Sequence, residues 1–513
     1  MLIQLDKFGG RMPQAIDPAL IPAGKSQEAI NCRFDQGGVA ALKNDVPIVT
    51  QSKTGLLLTI YRYSDGNFFQ WLTDVDVCAA PNPADAYGRI YFTENGELKV
   101  TDKFIYKQGG TEYPMVSYNP CPPAPVNAPT VAAESILTAV TGLTIADLNC
   151  IETDGTYDLI FTGGGGSGAT GTYTILNNII TTVSLVAGGS YASNPTVTTQ
   201  SGDGVITATG VQDATLVETR GYVYTFVNGY GAEGPPSPVS SLIDIYDGNT
   251  AAITGMDGNP DTTTQKYNIT KKRIYRLNQS STSAIYQFVA EVDVDEASYD
   301  DSILDSALSE VLATAEWEAP PVGIQGIKAL PNGGLVGFVG NLLCFSVPGY
   351  PHAWPTSYQK PTDYPIVGLG VFGTTVGVLT SGIPYLAVGS DPSNVVMETM
   401  DLGYSCMSKR GIIQAGDIIV YPCPEGLAAI GPGVREIITE GVMTRQDWQR
   451  LYNPETINAY FWEGKYIGFY ESNGIKAGFM FDIKSKDLTD LTFYAAAGYR
   501  DKGTGTLYLS LGE

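Results

Sequence analysis

The sequence predicts an all-β protein, and three observations carry that prediction. Gly, Pro and Tyr are abundant together, at 59, 31 and 31 of 513 residues. Gly and Pro punctuate a chain with many tight turns, and Tyr suits half-buried pleated surfaces. Apolar runs of strand length recur between the turns, whereas few stretches carry helical periodicity. The hydrophobic fraction of 43% is enough for packed cores, and the length suits about three or four domains.

Residues 1–118 read as an N-terminal arm followed by the first blades of a β-propeller. The arm, FGGRMPQAIDPALIPAGKSQEAINCRFDQGGVAAL, is loop-like. Ser26 to Ile30 is expected to form one helical turn capped by Ser26. Asp35-Gln36-Gly37-Gly38 reads as a hairpin turn. Two hairpins follow: GLLLTIYRYSDGNFFQWL turns at Ser64-Asp65-Gly66-Asn67, and GRIYFTENGELKVTD turns at Asn95-Gly96.

Residues 119–131, NPCPPAPVNAPTV, are a Pro-rich linker or the first strand of a sandwich. Residues 132–213 form a nearly uncharged, Gly-rich β insertion with an Asn177-Asn178 turn. Residues 214–322 read as a fibronectin type III-like sandwich, built on RGYVYTFVNGYGAEGPPSPVSSLIDI, KKRIYRLNQ and SAIYQFVAEVDV. From 323 to 513, strand–turn–strand pieces recur about every 40 to 50 residues, near the period of a propeller blade. Blades at both ends would let the propeller close on itself and hide its strand edges. The sandwich would then be an insertion between blades, with the Gly-rich unit within or beside it.

The formal net charge is −23. Stable duplex binding needs Lys and Arg to displace counterions, so this charge opposes a DNA-binding module and permits a conduit along which DNA slides. No run approaches the roughly 20 apolar residues of a membrane span. The opening MLIQLDKFGGRMPQ, with Asp6 early, does not read as a signal peptide. Cys32, Cys78, Cys121, Cys150, Cys344, Cys406 and Cys423 are scattered without a C-x-x-C pair, and read as buried thiols made in a reducing cytoplasm.

Several segments resemble bacteriophage short-tail nozzle proteins, the tail tubular protein B group. These are the opening FGGRMPQAIDPALIPAGKSQEAINCRFDQGGVAAL, then RGYVYTFVNGYGAEGPPSPVS, RIYRL, PNGGLVGFVGNLLCFSVPGYPHAWP, TSGIPYLAVGSDPS and YPCPEGLAAI. The segment GGGGSGATGTYTILNNIITTVSLVAGGSYASNPTV resembles a small β module of phage virion proteins. The resemblance implies a propeller platform with inserted lobes, assembled in the host cytoplasm into a homohexameric ring of the virion tail. It implies adaptor and portal-proximal proteins above the ring, fibres or a distal plug on it, and DNA passing through without specific binding.

Candidate chemistry is sparse. His352 is the single histidine, and it lies in a rigid Pro351-to-Pro355 turn where nothing local makes it a triad base, so it reads as a packed loop residue. The run Gly163 to Gly166 lacks the lysine and helix of a phosphate loop and reads as β-turns. Glu291, Asp293 and Asp295 would share one strand face by the period of two, which makes them a calcium candidate; a solvated outer face is the plainer reading. Lys271, Lys272, Arg273 and Arg276 read as a subunit-contact or salt-bridging edge, where a ring closes by rotation. No catalytic residue and no cofactor is nominated. The alternatives to a conduit are a host-glycan-binding tail module, using Tyr and Trp as stacking faces, and a polysaccharide-degrading tail enzyme using paired carboxylates.

Overall fold

A computed structural model describes residues 7–12, 17, 21–35, 37–43, 45–133, 138–211, 217–246, 249–261, 266–280, 283–400 and 404–511. It is all-β, as expected. Its strands make small antiparallel sheets, joined mostly by tight turns. The one α-helical turn among the described residues, Arg445–Asp447, is capped by the Thr444 hydroxyl and runs into Trp448–Tyr452. Among the described residues no helix is long and apolar enough to cross a membrane. Asp6 and Gln36 lie outside the described residues, so the readings placed on them stay with the sequence.

The chain divides into two compact units. Unit 1 comprises residues 1–123, 263–268 and 316–513; unit 2 comprises 124–262 and 269–315.

Besides the arm's hairpin of Cys32–Asp35 and Gly38–Ala41, unit 1 holds seven sheets among the described residues, numbered here in chain order. Sheet 1 is Thr59–Arg62 and Phe68–Trp71; sheet 2 is Val77–Ala79, Ile90–Glu94 and Glu97–Thr101. Sheet 3 runs from Gln325 to Pro361, sheet 4 from Ile366 to Thr399, sheet 5 from Ile413 to Ile437 and sheet 6 from Asn458 to Leu491, each a four-stranded meander. Sheet 7 is Ala495–Arg500 and Leu507–Leu511. From sheet 2 onward, the first strand of each sheet lies beside the first strand of the next, and that of sheet 7 lies beside that of sheet 1. Apolar layers fill the gaps. Phe338 and Leu369 share one buried cluster across sheets 3 and 4, Leu379 and Ile419 share another across 4 and 5, and Leu427 and Phe479 a third across 5 and 6. Tyr63, Phe69 and Trp71 of the first hairpin pack on Ile90 and Phe92 of sheet 2, so the order of sheets returns to its start.

This stacking explains the sequence pattern. A strand covered on both faces reads as a continuous apolar run instead of an alternation. Gly426–Gly431, GLAAIG, is buried at every position. The turns follow their residues: Asn95 and Gly96 take φ of 53° and 78°, the left-handed pair that a two-residue hairpin requires.

The arm corrects one expectation. Ser26–Ile30 is not a helical turn. It is extended, with parallel bridges from Arg11 to Ser26 and from Ile30 to Asp490. The reason is the free outer edge of sheet 6. Leu488 and Asp490 carbonyls accept from the Arg11 and Asn31 amides, and the Asp490 amide donates to the Ala29 carbonyl. Backbone pairing with that edge outweighs a single helical turn, whose nucleation is unfavourable. Gly10 makes the approach possible, because a Cβ there would lie 2.3 Å from the Leu488 nitrogen.

In unit 2, Tyr222–Asn228, Ile269–Ser280 and Ser283–Asp293 form one sheet, and Thr130–Ala133, Ala251–Thr254 and Tyr299–Asp301 form another. The Gly-rich segment is threaded between Thr130–Ala133 and the rest. Its two sheets enclose a separate core around Tyr173, Ile175, Ile180 and Ile206.

Candidate functional site

The basic strand nominated by the sequence lies in unit 2. Ile269–Ser280 pairs antiparallel with Ser283–Asp293, placing Lys271 opposite Asp293 and Arg273 opposite Glu291. Lys271 and Arg273 are partly exposed, whereas Lys272, Ile274, Tyr275 and Arg276 are buried, so the alternation breaks at Tyr275, where the register with the partner strand shifts. The subunit-contact reading is corrected on this point. Lys272 and Arg276 are both 0% exposed and cannot meet another chain. Lys271 Nζ lies 2.5 Å from Asp293, and Arg273 Nε donates to Glu291 at 2.9 Å while Nη1 reaches Glu233 at 3.2 Å. The charges are matched within the sheet, which is the salt-bridging alternative.

The calcium candidate is corrected by the same register. Glu291 and Asp293 lie on the strand, but the strand ends at Asp293, and Asp295 sits in the turn beyond it. Two of the three carboxylates already face cations across the sheet. Among the described residues no group of three or more His, Cys, Asp or Glu side chains is placed to hold a metal ion.

A buried polar constellation surrounds Arg276, which the sequence nominates only as part of a contact or salt-bridging edge. Arg276 Nη1 donates to Asp301 Oδ2 at 2.8 Å and to the Ile303 carbonyl at 2.8 Å, and Nη2 donates to Asp305 at 2.5 Å. Tyr222 donates its hydroxyl to the same Asp301 oxygen at 2.8 Å, and the Ile303 amide donates to Oδ1 at 2.9 Å. Burial alone would lower the Arg276 pKa, but the Asp301 carboxylate and its neighbours hold it raised. Beside this set, burial raises the Glu218 carboxyl, and a hydrogen bond with Asp305 adds to the rise. Two buried charges persist only when paired; here both Arg276 Nη atoms and both Asp301 oxygens are engaged, while Arg276 Nε is buried without a partner. The network therefore fixes three segments, at Tyr222, Arg276 and Asp301, in one register.

Other nominated residues are accounted for locally. His352 is buried in an aromatic cluster with Trp317 at 5.4 Å and Tyr350 at 6.0 Å. Trp354 beside it is buried and donates its indole NH to the Pro351 carbonyl at 3.0 Å. The glycines at 163, 164 and 165 have positive φ and form a turn between strands, as read from sequence. All seven cysteines are free; five are buried, and Cys32 and Cys78 are only partly so, which corrects the uniform reading. Burial pushes the Cys423 thiol up to about 12.

In unit 1 a second polar constellation lies where the first strands converge. Lys409, just before sheet 5, places Nζ 2.7 Å from Asp76 and 3.0 Å from Asp74, both at the entry to sheet 2. Asp76 also accepts the Gly326 amide of sheet 3 at 2.6 Å. Arg410 Nη2 donates to the Leu58 carbonyl at 2.7 Å and to the Ala496 carbonyl. Sheets 5 and 2 are not neighbours in the cyclic order, so these contacts span its middle. Burial would depress the Lys409 ammonium, yet Asp76 and Asp74 hold it raised. The partners are 335 residues apart from Lys409 to Asp74. The sequence signal was limited to isolated charges, Asp74-Val75-Asp76 and Lys409-Arg410, among apolar strands.

A third set pins the arm. Lys25 Nζ lies 2.6 Å from Asp487, which also accepts the Gly10 amide at 2.6 Å. Arg11 pairs with Asp490, which accepts the Tyr452 hydroxyl at 3.0 Å. These arrangements can position strands and hold segments in register.

No family model matches the chain, and no curated protein matches it. Among solved structures, it is similar to Sqt1 of Saccharomyces cerevisiae at 10% identity, covering 75% of this chain and 97% of that one, with a TM-score of 0.24. It is also similar to apo AztD of Citrobacter koseri at 11% identity, covering 82% and 94%, with a TM-score of 0.21. At these scores neither likeness carries an argument about function.

Proposed function

We propose that the chain is a structural subunit of a bacteriophage tail. In this reading identical copies form a ring, or nozzle, around the DNA ejection channel and dock neighbouring tail proteins. Unit 1 is the propeller platform of each copy, and unit 2 is the lobe whose residues follow sheet 2 and precede sheet 3 in the sequence. The observation that carries the proposal is the cyclic order of sheets in unit 1, completed by a hairpin from near the start of the chain lying beside one from its end. The segments resembling nozzle proteins support it independently.

The mechanism is assembly and electrostatics. A net charge of −23 favours a wall that repels phosphate and keeps passing DNA mobile. The Lys409–Asp74–Asp76 contacts cross the middle of unit 1, so the passage lies between copies and not through one copy. The test is light-scattering mass and negative-stain imaging of the purified chain, alone and with adaptor-bearing tails. The proposal expects closed rings in one of the two samples; a chain that stays monomeric and never joins tails contradicts it.

A further inference from the structure

The seam between sheets 7 and 1 differs from every other junction in unit 1. Each of these sheets has two strands, whereas sheets 3 to 6 have four. A lone two-stranded hairpin is marginal in water. Among the described residues no backbone hydrogen bond links the two hairpins. They meet through side chains: Leu57, Ile60 and Ala497 are buried, Tyr61 lies on Tyr499 with ring centroids 4.9 Å apart, and Phe68 lies on Tyr508 at 5.2 Å. Sheets 5 and 6, by contrast, enclose Val420, Leu427, Trp448, Tyr466 and Phe479. With two strands on each side and side chains alone across it, this seam depends on the groups that bridge it.

One side chain from outside the seam bridges it. Arg410 Nη2 carries two hydrogens and gives one to each side: the Leu58 carbonyl at the edge of sheet 1 and the Ala496 carbonyl in sheet 7. The donor is charged and its side chain is only 25% exposed, so these bonds are stronger than neutral, solvated ones. Its neighbour Lys409, 20% exposed, is anchored to Asp74 and Asp76 at the junction of sheets 1 and 2. The Arg410 carbonyl accepts the Ala459 amide at 2.9 Å, tying the same residue to sheet 6. The bridge therefore stands on the well-packed part of the unit. Arg62–Asp501 at 2.8 Å is the further ion pair across the seam, near its exposed end.

We propose that Lys409 and Arg410 form an electrostatic clasp on the closure seam. Its release opens unit 1 between sheets 7 and 1 while sheets 4 to 6 stay folded. The device does not depend on the tail assignment: it follows from two hairpins that share no backbone hydrogen bond among the described residues and from Arg410, a guanidinium from outside the seam that bonds to both.

Hydrogen exchange read by mass spectrometry on the full chain tests this. In Arg410→Met, amides of residues 59–71 and 495–511 are expected to exchange about tenfold faster or more, with residues 366–482 unchanged. Lys409→Met is expected to shift the same two segments less, because Arg410 remains in place. A uniform rise across unit 1, or no change at the seam, overturns the clasp. Should Arg410→Met fail to fold, the native chain gives the answer. Its two seam segments must exchange together through an opening easier than that of residues 366–482; equal protection of all of them overturns the proposal.

Discussion

Replacing Arg276 by methionine tests whether the basic strand of unit 2 is an internal brace. Both Arg276 and Asp301 are 0% exposed, and Nη1 to Oδ2 is 2.8 Å. Removing the guanidinium strands the Asp301 carboxylate with only the Tyr222 hydroxyl and the Ile303 amide, and takes a donor from the Ile303 carbonyl. Breaking a fully buried pair from one side costs about 3–5 kcal/mol. For a unit of this size that corresponds to a fall of roughly 6 to 20 °C in its melting temperature. The assay is urea and thermal unfolding of the full chain, with the unit 2 transition followed separately, since two compact units need not unfold together. Asp301→Asn is expected to act similarly, and the double variant to cost less than the sum, because both remove one network. Single-variant losses below about 0.5 kcal/mol would refute the reasoning, since that is the range of ordinary surface positions.

The arm offers three further tests. Gly10→Ala places a Cβ 2.3 Å from the Leu488 nitrogen, so limited proteolysis is expected to cut near residues 9–12 sooner, with sheet 6 intact. Asp490→Ala removes the partner of both Arg11 and Tyr452 and is expected to cost about 1–3 kcal/mol while loosening the same segment in exchange measurements. Burial would raise the Asp487 carboxyl, but Lys25, Ser485 and the Gly10 amide hold it below the ordinary range. A lowered carboxyl contributes stability at pH above its unfolded value of about 3.9 and loses it as pH falls toward the folded one. Arm protection should therefore decline below about pH 4, and Asp487→Asn should flatten that profile. Finally, the Cys423 thiol, held at about 12 by burial, is expected to resist a disulfide reagent at pH 8 and to react on unfolding.

Local signals carried far in this sequence, and long-range ones did not. The turns at Asn95-Gly96 and Asn177-Asn178 were legible because few residues other than Asn and Gly accept the left-handed backbone there. The alternation in KKRIYRL holds from Lys271 to Ile274 and fails at Tyr275, which is buried like Arg276. What it could not say was which face was inward, because Lys272 and Arg276 look like surface residues until Glu296, Asp301 and Asp305 are brought to them from downstream. Ser26–Ile30 was misread for a related reason. Its capping serine favours a helix locally, and only the distant edge at Leu488 and Asp490 draws it into an extended bridge. The Lys409–Asp76 contact was invisible, since no local pattern encodes a pairing across most of the chain. Asp295 was missed by a simpler route: strict period-two counting runs past the end of the strand.

The central claim is that copies of this chain form the wall of a negatively charged passage in a phage tail. The most direct measurement is a cryo-electron density map of the tail particle into which the two units are fitted separately. The account predicts a closed ring of unit 1 copies whose lumen is rich in aspartate and glutamate, with each copy's own middle filled by Lys409, Asp74 and Asp76. A density with this chain absent from the tail, or with lysine and arginine lining the passage, contradicts it.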